Sequence, residues 1–202
     1  MSTLKLPPNA PFNGPQRMWL KGFLDGISSA FPTSITPASA PPATLTPSAR
    51  PGLPVTILWG SQTGNSESLA KKLSKSLSAI GHSPSLREMA VSSAADLANL
   101  EYLLVITSTY GDGEPPDNAA ALHAELALPD AAALHNLQFA VLALGDSNYP
   151  EFCKCGHDFH SRLSALGATP LLPIHEADGD CDAPFATWSA ELTRCLNSLI
   201  PA

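Results

Sequence analysis

The sequence predicts an α/β fold: an open three-layer sandwich with a five-stranded parallel sheet and helices on both faces. Two observations predict it. From Val55 onward, short aliphatic or β-branched runs alternate with longer segments whose apolar residues recur at helical spacing. Those runs are continuously apolar rather than alternating, as strands covered on both faces should be. A third observation marks where the fold begins: eleven of the twenty prolines fall within the first 54 residues. The chain is therefore expected to divide into an N-terminal helical segment (1–31), a Pro/Ser/Thr/Ala linker (32–53) and one globular domain (54–202).

Within the first segment, Trp19, Leu20, Phe23, Leu24 and Ile27 share one face of a predicted helix over 15–28. Asn13 suits its cap and Pro15 its first turn, while Gly22 and Gly26 weaken it. So short a helix is marginal alone. Its apolar face is expected to dock on the main domain or on another chain, which makes an oligomer possible. The tract that follows carries Pro32, Pro37, Pro41, Pro42, Pro47, Pro51 and Pro54 and lacks core-forming side chains. It favours extended, polyproline-like backbone and serves as a tether.

The domain's elements follow in order. Val55–Trp59 is the first strand, closed by Gly60 and Ser61. Ser66–Ile80 is a helix with Leu69, Leu73, Leu77 and Ile80 on one face, stopped by Gly81. Ser85–Met89 is a weak second strand and Tyr102–Thr107 a strong third. Ala119–Leu128 is helical, with Asp117 and Asn118 placed to cap it. Phe139–Leu144 is the fourth strand. Phe152–Leu166 is a helix that buries Phe159, Leu163 and Leu166 and stops at Gly167. Thr169–Ile174 is a fifth strand, its prolines assigning it to an edge. Phe185–Leu199 is the last helix, carrying Trp188, Leu192, Cys195, Leu196 and Leu199.

Composition removes several classes of function. The formal net charge is −7, with residues 1–52 at +3 and the remainder at −10. An acidic domain is a poor general binder of nucleic acid or anionic membranes. No apolar run is long enough to span a bilayer. Cys153, Cys155, Cys181 and Cys195 form no CxxC pair and are too sparse for a disulfide scaffold. They fit free thiols in a reducing cytoplasm. His157 and His160 share a helix at i, i+3 without a carboxylate or cysteine in register, so no metal site is expected.

In open parallel sheets, ligands sit beyond the carboxyl ends of the strands. Three loops at those ends carry chemistry. After the first strand comes Ser61-Gln62-Thr63-Gly64-Asn65-Ser66, opening a helix. Hydroxyls, an amide and backbone N–H groups at a helix N-terminus suit an anion. The loop has no lysine, so it is not a nucleoside-triphosphate loop, and it lacks a GxGxxG fingerprint. A neutral cradle suits a single phosphate monoester; taken alone, the loop is equally an ordinary capped helix. After the third strand comes Ser108-Thr109-Tyr110-Gly111-Asp112-Gly113, and after the fourth Leu144-Gly145-Asp146-Ser147-Asn148-Tyr149-Pro150-Glu151-Phe152-Cys153. Each is a turn-rich loop with an aromatic near glycine, which lets backbone approach a ligand closely. Two tyrosines above a phosphate cradle describe a site for an aromatic mononucleotide.

SQTGN, STYGDGEPPDN and LGDSNYPEFC, each at its strand end, resemble the flavodoxin-like FMN domain of the diflavin reductases over about residues 54–199. The form LGDSNYPEFC, with an N-terminal PFNGPQRMWLKGFLDGI and a Pro/Ala/Ser tether, is most similar to the flavoprotein subunits of bacterial sulfite reductases. The resemblance implies strand order 2-1-3-4-5 and FMN as cofactor. It implies that Ser61 to Ser66 hold the phosphate and that Ser108 to Gly111 wrap the ribityl chain, with Tyr110 stacking on one ring face. Leu144 to Cys153 close the other side, with Tyr149 as the second stacking ring. Backbone beside Gly111 would meet the flavin's central-ring nitrogen, and Asp112 and Asp146 would disfavour a negatively charged reduced flavin.

The resemblance implies a domain that passes single electrons from an FAD/NADPH reductase to a haem or iron–sulfur acceptor, with a sulfite reductase haemoprotein as the expected acceptor. Asp112, Glu114, Asp117, Asp146 and Glu151, with Glu176, Asp178, Asp180 and Asp182, are expected on the rim to steer a basic partner; solvated loops without a partner are the alternative. Relatives with these motifs continue into an FAD and NADPH module, whereas this chain stops at Ala202. It is expected to be a fragment, a truncated gene product, or a stand-alone carrier whose reductase is a separate protein. No residue is a candidate catalytic acid, base or nucleophile. Three other readings stay open: a flavodoxin-type shuttle outside sulfur metabolism, a non-redox assembly module, and a flavin-dependent quinone reductase.

Overall fold

The structure, a computed structural model, describes Gly14, Met18 and residues 52–200. The expected helix over 15–28, apart from Met18, and the expected tether, apart from Gly52 and Leu53, lie outside the described residues; Gly14 and Met18 are both helical.

Six strands form one parallel sheet: β1 (Pro54–Gly60), β2 (Ser83–Glu88), β3 (Tyr102–Ser108), β4 (Gln138–Gly145), β5 (Thr169–Pro170) and β6 (His175–Asp178). The order is β2-β1-β3-β4-β5, with β6 also paired to β4, so the predicted 2-1-3-4-5 order holds. β3 and β4 lie at the centre, and every residue from Tyr102 to Thr107 and from Phe139 to Leu144 is buried. β2 is an edge strand with alternating exposure, which is why its sequence is a weak strand signal.

Five helices cover the sheet: α1 (Asn65–Ala79), α2 (Ala94–Leu97), α3 (Ala120–Glu125), α4 (Lys154–Ala165) and α5 (Asp182–Leu199). The pleat sends alternate strand residues to opposite layers. Ile57, Leu104, Ile106 and Leu142 pack under Leu69, Leu73 and Leu77 of α1 and Trp188, Leu192 and Leu196 of α5. Leu58, Leu103, Val105, Phe139 and Val141 pack under Leu97, Leu122, Phe159 and Leu163 of the other three helices. Each such fully buried leucine contributes roughly 2 kcal/mol by burial. Gly156 is required in α4, because a Cβ there would lie 2.3 Å from the Cβ of Ala143.

Three expectations are corrected, and two unpredicted elements are added. Ile80 is the C-cap residue of α1 and 48% exposed, one position past the end of the helix and three past its last buried residue, Leu77. The fifth strand does not run through Thr169–Ile174. Pro170 and Pro173 have no N–H to donate, so the strand breaks after Pro170 and resumes as β6, pairing Leu142 with His175 and Gly145 with Asp178. Asp117 and Asn118 do not cap α3, whose N-cap is Ala119 without a side-chain bond; both are engaged elsewhere. Between β2 and β3, the chain forms a 3-10 turn (Met89–Val91) and α2 with a Ser93/Asp96 capping box, neither of which the sequence pattern predicts.

At the strands' amino ends, the Leu53 N–H donates to Nδ1 of His82 (3.2 Å) and the Ser83 N–H to the Leu53 carbonyl (3.0 Å). The domain is thus pinned at the point where the chain enters it. Among the described residues no helix is long and apolar enough to cross a membrane.

Candidate functional site

The loops after β1, β3 and β4 meet at the carboxyl ends of the strands around a cleft of ≈ 600 Å³. Gln62, Thr63 and Asn65 line it from the first loop, Ser108 to Gly111 from the second, and Leu144, Gly145, Asp146, Tyr149, Glu151, Phe152 and Cys153 from the third. The structure therefore brings together residues from all three expected loops. Ser61, Gly64, Ser66, Ser147, Asn148 and Pro150 belong to the same loops but do not line the cleft, and Ser147, Asn148 and Pro150 are exposed. Gly179 and Cys181, just past β6, complete the wall. Sequence reasoning missed them because the residues after β6 read only as an acidic loop.

Gly64 caps α1 in the left-handed region (φ 89°), which a glycine adopts without strain. The first loop folds onto Ser61: its hydroxyl oxygen accepts the N–H of Gly64 (2.9 Å) and of Ser66 (3.3 Å). Among the described residues the N–H groups of Thr63 and Asn65 have no protein acceptor. The hydroxyl of Ser66 is buried with no partner. Unmatched donors on a helix N-terminus, free of lysine and arginine, are what a phosphate monoester needs.

The second loop is a tight reversal. Tyr110 and Glu114 exchange backbone hydrogen bonds (2.9 and 2.8 Å), and Gly111 turns between them at φ 52°. This holds the Tyr110 ring outward, 56% exposed. The Thr109 N–H donates to the Leu144 carbonyl (2.9 Å), tying this loop to the third. The Ser108 hydroxyl is buried and unpartnered beside the cleft.

The third loop is built by Asp146, whose Oδ1 accepts from the N–H (2.9 Å) and side-chain amide (2.7 Å) of Asn148. From the end of β6, the Asp178 carboxylate accepts the N–H (2.9 Å) and hydroxyl of Ser147. Those bonds hold the Asp178 carboxyl below the usual carboxylate range. Tyr149 is left projecting, 55% exposed.

Cys153 caps α4 at φ 54°, the one non-glycine with positive φ among the described residues. A residue there with a side chain is strained and needs surrounding structure to hold it. Burial pushes the Cys153 thiol up to about 12. Its Sγ donates to the Ala143 carbonyl (3.3 Å). The Cys155 N–H donates to Oγ1 of Thr109 in the second loop (3.1 Å).

Two exposed rings, on the loops after β3 and β4, line one cleft with the apolar Leu144, Phe152 and Cys153. Among the described residues, the serine hydroxyls of Ser66 and Ser108 and the N–H groups of Thr63 and Asn65 in the same loops have no protein partner. Flat rings, an apolar lining and unmatched donors on one cleft are groups that could hold FMN.

The Flavodoxin family model matches residues 57–188. The chain belongs to the flavodoxin family. FMN is that family's cofactor. Among solved flavodoxin structures, a cysteine-to-alanine mutant of the Pseudomonas aeruginosa protein is 34% identical, with a TM-score of 0.61 over 72% of this chain and 99% of that one. The Streptococcus pneumoniae TIGR4 flavodoxin is 26% identical, with a TM-score of 0.64 over the same shares. Longer relatives named sulfite reductase [NADPH] flavoprotein alpha-component are more similar in sequence. That of Shewanella sp. (strain ANA-3) is 42% identical over 95% of this chain, and that of Bacillus subtilis (strain 168) 40% identical over 90%. This flavodoxin-family chain spans about a third of their length (31% and 30%).

The acidic rim is only partly as expected. Asp146 and Glu151 line the cleft and Asp178 abuts it. Asp117 exchanges bonds with Gln62 (both 3.1 Å). Glu176 instead faces α4 and meets Nε2 of His157 at 2.6 Å, because its register opposite Ala143 places it before the strand end.

Proposed function

We propose that this domain holds FMN in the described cleft and uses it to relay electrons one at a time. The observation that carries this is the pair of exposed rings, Tyr110 and Tyr149, sharing a cleft with a neutral loop in which, among the described residues, the Thr63 and Asn65 N–H groups and the Ser66 hydroxyl lack protein partners. Bound flavin would supply one-electron redox chemistry. The chain's own residues do the rest. The Ser61–Ser66 loop binds phosphate through N–H and hydroxyl donors, without a fixed cation. Tyr110 and Tyr149 orient the ring and shield its faces from water. The backbone at Gly111, a left-handed glycine on the cleft lining, would be the partner of a ring nitrogen and of the proton on it. Asp146, at the cleft wall, disfavours added negative charge on the ring.

The donor in this reading is an FAD/NADPH reductase. The acceptor is a haem or iron–sulfur protein, with a sulfite reductase haemoprotein in the cytoplasm as the leading candidate. Similarity to sulfite reductase flavoprotein components over nearly the whole chain supports it. Carboxylates at the rim suit a basic partner, and rates of transfer should then fall with ionic strength. A stand-alone shuttle is the second reading, favoured by the match over 99% of a short flavodoxin. Electron uptake from a separate FAD reductase, tested with and without sulfite reductase haemoprotein as acceptor, separates the two.

The test is to add FMN to the purified chain, record the visible spectrum, and reduce stepwise. Retained FMN and two resolved one-electron steps are expected. A correctly folded protein that takes up no FMN overturns the reading.

A further inference from the structure

Asn118 lies outside the cleft lining and does not cap the helix that follows it. Its side chain joins three loops at once. Its Oδ1 accepts the N–H of Ser61 (3.0 Å), the first residue after β1. Its Nδ2 donates to Oε1 of Glu88 (2.9 Å), the last residue of β2. The two bonds fix which way the amide points, since a carboxylate accepts only from the nitrogen side and an N–H donates only to the oxygen. Ser61 in turn is the hub of the anion loop, its hydroxyl gathering the N–H groups of Gly64 and Ser66. An unbroken chain of hydrogen bonds thus runs from Glu88 through Asn118 and the Ser61 backbone to the loop that would meet a phosphate. The adjoining Gln62–Asp117 exchange ties the same two loops but is exposed, whereas the Asn118 bonds are partly buried.

We propose that Asn118 and Glu88 are positioning residues for the flavin phosphate: the carboxylate orients the amide, and the amide sets the backbone of Ser61 and with it the shape of the anion loop before ligand arrives. This rests on the FMN reading of the cleft. It follows that Ser61 contributes its hydroxyl, not its N–H, to anion binding, because that N–H is already committed. Preorganised donors bind more tightly than donors that must first be ordered.

The polarity of the chain supplies the test. Asn118→Asp keeps an acceptor for Ser61 but sets two carboxylates against each other. Adding Glu88→Gln restores a donor, now from Gln to Asp. Two readouts are made on the full chain: amide hydrogen exchange at Ser61 and Gly64 in the FMN-free protein, and FMN affinity by quenching of flavin fluorescence. N118D is expected to speed exchange at both amides and to weaken FMN by about tenfold, the size of one lost hydrogen bond to a charged or buried group. E88Q/N118D is expected to return both readouts to within about threefold of the unmodified protein. The proposal is overturned if N118D leaves the Ser61 amide as protected as before. A double variant no better than N118D also overturns it, since a merely structural loss would not be rescued by removing the facing charge. Protected loop amides that respond as expected, in a protein that never takes up FMN, would instead overturn the flavin reading and leave the clamp standing.

Discussion

A methyl group on Gly145 would sit 2.8 Å from the backbone nitrogen and 2.9 Å from the Sγ of Cys153. The end of β4 and the first turn of α4 therefore touch through an atom that is not there. Replacing Gly145 with alanine should push the third loop away from the cleft floor. The expected cost is about 1–3 kcal/mol of stability, typical of an overpacked site, with weaker FMN binding. Urea unfolding and a flavin titration check the two effects.

Tyr110 and Tyr149 each expose more than half of their surface beside the cleft, so neither is held there by core packing. Truncating either to alanine should leave folding intact. It should weaken FMN by about 1–3 kcal/mol, the usual worth of stacking on a flat heterocycle. Phenylalanine at the same positions should retain most of the affinity. Unchanged binding by both alanine variants would remove the stacking role.

Acid should loosen the third loop before it unfolds the core. Ser147 holds the Asp178 carboxyl below its ordinary range. A depressed value in the folded state means that the bond's contribution is fully present above the ordinary carboxylate range and is lost as pH falls through the lowered value. FMN affinity should fall over that acidic window, and Asp178→Asn should flatten the fall. A titration of flavin fluorescence from neutral pH down to about pH 3 measures it.

Cys153 and Cys155 should be inert to alkylation at about pH 8 while the protein is folded, because thiolate is the reactive form. Burial raises their thiols to about 12 and about 11. Below the ordinary thiol range both folded and unfolded chains are protonated, and these thiols add no pH dependence to stability. Above the ordinary thiol range the unfolded chain ionises first, and stability falls until pH passes the shifted values. Mass spectrometry after iodoacetamide, with and without denaturant, distinguishes masked from merely slow thiols.

The sheet and its ligand end were legible because two signals agree there. Tyr102–Thr107 and Phe139–Leu144 are apolar almost without a break, as doubly covered strands require, and turn residues follow each at once. What was illegible depends on contacts between distant segments. Asn118 carries every local sign of a cap, yet Ser61 and Glu88, 57 and 30 residues away, claim both ends of its amide. Cys181 joins the cleft wall only because β6 resumes beside β4 after the proline detour. The four-residue helix Ala94–Leu97 is too short to show a period, although its Ser93/Asp96 box was there to be noticed.

The bond from Leu53 to His82 lies at one end of β1 and the Ser61–Ser66 loop begins at the other. Seven residues of extended chain separate them, about 23 Å at ~3.3 Å per residue. Neither Leu53 nor His82 lines the cleft, so the domain's entry point and its ligand end are separate handles on one buried strand, and either can be altered by substitution without touching the other.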